Sequence, residues 1–363
     1  MKKIIAALLA FAMLFSLCAC GGTNGDNDKN DTGTKVVTDA CGRTVEIPKT
    51  VKSVVCVGVG ALRFTTYLDA LDLLAGVEEN ELDIGVYKPY AYLHQDVWEK
   101  LPQTGNNGET YDEQIIAANP DVIIANMDKA TADAYQQKTG IPVVTIPMVE
   151  GILDDAVIEM ITLLGEIYGK QERAKELTDY LTAMKKDIAD RVAKVDKDSV
   201  PSVYVCGVSF KGSHGFEGTE AHYGPLAELK ATNIADATGQ TGAFDMDIEQ
   251  VLKSDPDYIF VDTNGLDIIK QQYSENPDFY NSLTAVRENR VFSQVSFRFC
   301  ATNVELALAD MYYMGTVIYP DTFADVDPVA KANEIFKMFL GTDDYCKALS
   351  DAGYTFDAVD ITK

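Results

Sequence analysis

The chain has 363 residues, with 31 Lys and Arg against 56 Asp and Glu, a formal charge of -25 and only three His. That acidity sets nucleic acid aside as a partner, because a surface of this sign repels a phosphate backbone. So few His also argue against a zinc or manganese centre built from clustered imidazoles and carboxylates, so no metal ligands are assigned.

Lys2 and Lys3 precede an apolar run from Ile4 to Leu17, followed by Leu17-Cys18-Ala19-Cys20-Gly21-Gly22. The run is short for a permanent span, and small residues stand where a signal peptidase cuts. Leu17 and Ala19 place the cut before Cys20, which would then be acylated. The expected layout is a signal peptide over 1–19 and a polar, Gly- and Asn-rich tether over 20–35. The mature body would stand outside the cytoplasm, held to the membrane by its lipid alone. Five further cysteines, at 41, 56, 206, 300 and 346, are an odd number without a C-x-x-C pair. Cys56 and Cys206 read as small buried hydrophobes, and a Cys41–Cys56 bridge stays open.

In the body, Val37 to Ile47 predicts a hairpin turning at Cys41-Gly42, and Val54 to Val57 a first buried strand. Gly58-Val59-Gly60 follows as a loop that lets backbone approach a ligand, before a helix bearing Arg63. An aromatic segment contains Tyr87, Tyr90, Tyr92 and Trp98. Glu113 to Ala125, EQIIAANPDVIIA, reads as helix, Asn-Pro stop and buried strand. Ile141 to Ile146 is another strand, and Asp154 to Tyr168 a helix ended by Gly169. From Gln171 to Val195, apolar residues at three- and four-residue steps predict one long helix of roughly 38 Å, enough to cross between two lobes.

After Pro201 the pattern restarts. VYVCGV is a strand, and Ser209 to Pro225 a polar, Gly-rich loop. EQVLKSDPDYIFV, Glu249 to Val261, then repeats the first unit with Glu, Gln, Pro, Asp and one Ile in register. The separation, from 113 to 249, is too long for a solenoid repeat and argues for two similar lobes. The expected fold is therefore α/β, with two Rossmann-like lobes (36–169 and 197–363) joined by a spanning helix over 170–196 and a ligand cleft between them. The segment from Pro328 to Lys363 is expected to close the second lobe with one or two helices.

The lipobox, TDACGRTVEIPKTVKSVVCVGVGALR, TGNNG with DEQIIAANPDVIIA, the long helix, EQVLKSDPDYIFV and VRENRVFSQV occur here in one order. In that order the chain resembles the substrate-binding lipoproteins of ABC importers for iron-siderophore, haem and cobalamin. The resemblance implies a non-enzymatic monomer that delivers a metal chelate, whether ferric siderophore, haem or cobalamin, to a permease dimer and its ATPase, with no cofactor of its own. It also implies that Glu113 and Glu249 dock on the permease. Thr110 to Glu113 fits a capping box as well, in which Glu113 serves its own helix start. Met246 replaces the Thr in the second copy, so capping does not explain the recurrence.

Ligand candidates lie at strand C-terminal ends, where open α/β sheets bind. They are Gly60, Arg63, Tyr92, Trp98, Asn106 and Asn107 in the first lobe, and Lys211, His214, Tyr223 and Arg298 in the second. Arg63, Lys211 and Arg298 could hold an anionic catecholate, whereas haem would want His214, His222 or Tyr223 as an axial ligand. The competing class is an enzyme with His214, Glu217 and Glu220 as an acid/base set, but the chain carries no nucleophile elbow and no HExxH.

Overall fold

The computed structural model describes residues 33–149 and 151–363. The signal peptide, Cys20 and the tether up to Thr32 lie outside the described residues. The first two strands, β1 (Thr34–Thr38) and β2 (Thr44–Pro48), form the expected antiparallel hairpin, and β1 begins two residues before the expected lobe boundary at residue 36. Its turn is clamped by a buried Arg43–Asp39 pair, and Arg43 also reaches the Val143 carbonyl at 2.9 Å. That fixes the hairpin on the first lobe.

The first lobe is built on β3 (Val54–Val57), β4 (Leu74–Glu78), β5 (Gln103–Asn106), β6 (Glu109–Thr110), β7 (Val122–Ala125) and β8 (Val143–Thr145). They assemble in the order β6-β5-β4-β3-β7-β8, parallel except for the β5–β6 pair. The second lobe carries β9 (Ser202–Cys206), β10 (Gly218–Ala221), β11 (Thr232–Asn233), β12 (Gly242–Asp245), β13 (Tyr258–Asp262) and β14 (Val291–Gln294). Its parallel sheet runs β11-β9-β13-β14, and β10 with β12 makes a separate hairpin. Continuous apolar runs at β3, β7, β9 and β13 are what a parallel sheet covered on both faces requires.

The internal repeat now has a physical basis. Asp121 and Asp257 stand at the same place in the two copies, and each locks onto a Ser that leads into the first strand of its lobe. The Asp121 carboxylate accepts from Ser53 N at 3.1 Å, and Asp121 N donates to Ser53 Oγ at 3.1 Å. The Asp257 carboxylate accepts from Ser202 N at 2.8 Å, and Asp257 N donates to Ser202 Oγ at 3.0 Å. Beyond those strands, Gly58 (φ +78°) and Gly207 (φ +73°) occupy matching sites where a Cβ would come within 3.2 Å of the Asn126 carbonyl and 3.1 Å of the Asp262 carbonyl. Both the left-handed backbone and the close approach call for glycine.

The long helix spans Gln171–Val192, three residues short of its expected end, so it reaches about 33 Å at about 1.5 Å per residue. It packs on the helix Asp155–Tyr168, which Gly169 terminates at φ +70°. A helix at Val304–Ile318 was not legible in sequence. It is buried at every position except Thr316 and Val317, so it has no polar face and no amphipathic rhythm. The C-terminal helices Pro328–Leu340 and Tyr345–Asp351 also differ from expectation, since they rest on first-lobe elements rather than simply closing the second lobe. Phe339 packs edge-on against Tyr67, and the Tyr345 hydroxyl donates to the Val86 carbonyl at 2.8 Å. One hydrophobic cluster therefore runs from Val54 and Val122, through the long helix, to Val203, Phe260 and the 304–318 helix. The lobes share a core, which resists opening more than a spanning helix alone would.

Candidate functional site

The loops leaving β8, β9 and β14 converge on an open cleft of about 560 Å³. Met148, Val149 and Ile152 line it from the segment after β8. Ser209, Phe210, Glu220, Arg298 and Ala301 line it from the second lobe. Its size falls within the range of small-ligand pockets. Arg298 is the one Lys or Arg among the described lining residues. Its Nε donates to Glu220 Oε2 at 3.1 Å, Nη2 makes a second close bond to Glu220 Oε1, and Nη1 donates to Thr302 Oγ1 at 2.8 Å. Glu220 is nearly buried while a quarter of the Arg298 side chain is exposed, so this fork faces the cleft from a fixed carboxylate. A guanidinium held in this way suits a planar or tetrahedral oxyanion.

The loop after Arg298 is strained. Cys300 and Ala301 both adopt left-handed backbone, at φ 50° and 65°. What holds it is Arg63, a residue expected from sequence to contact the ligand. Arg63 is 1% exposed and lies over the Tyr90 ring. Its Nη1 donates to the Thr302 carbonyl at 2.8 Å, Nη2 to the carbonyls of Phe299 and Cys300 at 2.7 Å each, and Nε to Asn303 Oδ1 at 3.0 Å. The guanidinium is consumed by a tie between lobes. Beside it, Tyr87 of the first lobe stacks on Phe299 at 3.9 Å.

Other candidates fall in several places. Trp98 is fully buried, edge-on to His94, and belongs to the core rather than the cleft. Tyr223 is also buried, its hydroxyl donating to Gln294 Oε1 at 2.7 Å, so it supports the cleft from beneath. Tyr92 is 41% exposed but packs against Tyr345, away from the cleft lining. Gly60 starts the Arg63 helix at φ +88°. Asn106 and Asn107 form the exposed β5–β6 turn, where Asn107 N donates to Asn80 Oδ1 at 2.7 Å. Lys211 is exposed in the loop after β9.

His214 stacks on Phe210 at 3.8 Å, with Nδ1 2.8 Å from Asp245 Oδ1 and Nε2 2.8 Å from the Phe210 carbonyl. With Glu217 and Asp245 it forms a group of three metal-capable side chains. Glu217 already accepts from Gln272 Nε2 at 2.8 Å and from Gly215 N at 3.2 Å, so internal bonds occupy the set. His222, by contrast, lies on the cleft lining.

Glu220, Ser209, Phe210 and Met148 line the cleft although the sequence does not single them out as ligand candidates. Glu220 could have been suspected as a carboxylate in a Gly-rich loop opposite a lone Arg. Beneath Arg298, burial raises the Asp262 carboxyl to about 6 and holds Asp310 well above the ordinary carboxylate range. The five described cysteines outside the leader are free thiols, and burial raises Cys56 to about 12.

Residues 64–294 match the sequence profile of the family described as periplasmic binding protein. The chain belongs to that family. This periplasmic binding protein is 26% identical over 337 residues to the ABC transporter substrate-binding lipoprotein YvrC of Bacillus subtilis, covering 90% of this chain and all of YvrC. It is 24% identical to the molybdate-binding protein MolA of Haemophilus influenzae, over 94% of this chain and 97% of MolA. The structure of MolA bound to molybdate superposes with a TM-score of 0.67 at 22% identity, covering 85% of this chain and 98% of that one. The Fe(3+)-citrate-binding protein YfmC of B. subtilis is 25% identical over 80% of this chain and 87% of YfmC. The protein is thus a substrate-binding component of an ABC transporter, and its named relatives bind cargo rather than turn it over.

Proposed function

We propose that the protein is anchored outside the cytoplasmic membrane by a lipid on Cys20, captures an anionic metal chelate of the ferric siderophore or ferric carboxylate kind, and delivers it to an ABC permease. The observation that carries this reading is the Arg298 fork on the cleft wall, a cation held by Glu220 and Thr302 with part of its surface open. A ligand oxyanion approaching Arg298 would share its guanidinium with the Glu220 carboxylate or compete with that carboxylate for it, which favours multidentate anions over neutral cargo. For haem, both His214 nitrogens are engaged and Tyr223 is buried, so His222 on the cleft lining is the axial candidate that stays available.

MolA supports a second reading, a small tetrahedral oxyanion such as molybdate, because the likeness extends over nearly the whole chain. The test is a calorimetric and thermal-shift panel of ferric citrate, ferric catecholate and hydroxamate siderophores, haem, cobalamin and molybdate, run on the body and on its Arg298→Gln variant. Saturable binding of one anionic ligand, weakened about a hundredfold or more by Arg298→Gln, is expected. Tight binding of cobalamin or haem that ignores the substitution would overturn the assignment.

A further inference from the structure

Both ring nitrogens of His214 face acceptors. Nε2 lies 2.8 Å from the Phe210 carbonyl, which can only accept, so Nε2 carries a hydrogen. A neutral imidazole then presents a bare lone pair at Nδ1. Yet Nδ1 lies 2.8 Å from Asp245 Oδ1, and an ionised carboxylate has no hydrogen to give. Something positive is required on that edge of the ring, either a second proton or a metal ion.

The third member of the group favours the metal. Glu217 adds another carboxylate, so that one ligand atom from each of the three residues lies within 4.8 Å of the others. A second proton would serve Asp245 and leave the charge of Glu217 unanswered, whereas a divalent cation balances both carboxylates at once. The fold also sets this arrangement in place. Gly218 of β10 stands opposite Asp245 of β12, and Met246 N donates to the Glu217 carbonyl at 2.8 Å, which fixes the backbones of Glu217 and Asp245 side by side. Gln272 Nε2 and Gly215 N orient the Glu217 carboxylate without using every lone pair of its oxygens. Burial raises the Glu217 carboxyl, but these donations outweigh it and hold the group below the usual carboxylate range. The bond from Nε2–H to a backbone carbonyl is the kind of outer contact that aims the other nitrogen of an imidazole at a metal. The Asp245 side chain is 56% exposed, which gives an ion a way in from solvent.

We propose that His214 Nδ1, Glu217 and Asp245 bind one divalent transition-metal ion of the Zn2+ class, with water completing its coordination, and that the ion pins the loop after β9 to the β10–β12 hairpin. A single imidazole with two carboxylates suits Zn2+ and its first-row neighbours better than Ca2+, and it is a donor set that a low His count does not exclude. Ligand atoms about 2.0–2.1 Å from Zn2+ sit roughly 3.3 Å apart in a tetrahedron, so Nδ1 and Oδ1 have to part by roughly half an ångström, which the exposed Asp245 can provide. The ion lies beside the cargo cleft and acts on its wall. His214 stacks on Phe210 at 3.8 Å, and Phe210 lines the cleft, so metal binding firms that wall whichever cargo rests against it.

The experiment titrates ZnCl2 by calorimetry into the full, lipid-bearing chain in detergent after treatment with a chelator, and follows hydrogen exchange over 209–217. One Zn2+ per chain is expected, since no second group of this kind occurs among the described residues. Binding should protect 209–217, and its affinity should fall between about pH 7.5 and about pH 5 as protons compete for Nδ1. His214→Ala, Glu217→Gln and Asp245→Asn are each expected to weaken Zn2+ binding about tenfold or more. A parent-like melting midpoint of Asp245→Asn without metal separates loss of a ligand from loss of the fold. Zn2+ binding that survives all three substitutions belongs to carboxylates elsewhere on this acidic surface and overturns the site. Absence of saturable binding, with loop protection that rises on acidification instead, overturns it as well and assigns the edge of the ring to a second proton.

Discussion

Arg63→Met separates a structural tie from a ligand contact. Met keeps an unbranched apolar stem over Tyr90 and removes the donors that hold the 299–303 loop. Of the lost bonds, those to the Thr302 carbonyl and Asn303 Oδ1 are buried, whereas those to Phe299 and Cys300 are partly buried and can be rehydrated. Each buried acceptor left without a donor costs about 1–3 kcal/mol, so a loss of roughly 3–5 kcal/mol is expected. That is a large part of the 5–15 kcal/mol typical of a folded domain. Urea unfolding reads the stability, and hydrogen exchange across 298–303 reads the release of the strained Cys300–Ala301 backbone. The reasoning is refuted if stability changes by less than about 1 kcal/mol and the loop stays protected while anionic cargo is lost, since Arg63 would then be serving the ligand.

Three further outcomes follow from burial and packing. Trp98, fully enclosed, should emit at short wavelength, resist acrylamide quenching and ignore a colourless cargo; easy quenching would place it at the surface instead. Asp262 is raised to about 6 by burial, so the folded state holds a proton between about pH 4 and pH 6 that the unfolded chain has released. Stability should therefore fall as pH rises through that window, by on the order of 3 kcal/mol, with Asp310 contributing in the same direction. Urea midpoints of Asp262→Asn should show a flatter profile than the parent, and an unchanged slope would remove Asp262 as the source. Cargo binding should contract the body little, because the lobes share a core. For a radius of gyration of about 20 Å, a decrease beyond about 1 Å in small-angle scattering contradicts this.

Much of the fold was legible because its signals are local. The strands Val54–Val57 and Val122–Ala125 are short apolar runs between polar and turn residues, and they form where the sequence places them. The repeat, the hairpin and the long helix were readable for the same reason: each is a pattern of neighbours along the chain. The helix Val304–Ile318 escaped notice because it is buried nearly all round, so sequence shows an apolar run without a period. The site was less legible. Arg63, Tyr223 and Trp98 have the chemistry of ligand contacts, and nothing in their near sequence tells which are spent inside the protein.

Sequence alone determined the lobed α/β plan and displayed the paired Glu residues, since hydrophobic periodicity, turn residues and an internal repeat are written in consecutive positions. Only the tertiary structure decided which cation faces the cleft. Arg63 and Arg298 are alike as residues, but the carbonyls of Phe299, Cys300 and Thr302, some 240 positions away from Arg63 in the chain, enclose one of them, while Glu220 holds the other at the surface of the cleft. A guanidinium goes where unsatisfied acceptors are, and folding sets where those lie.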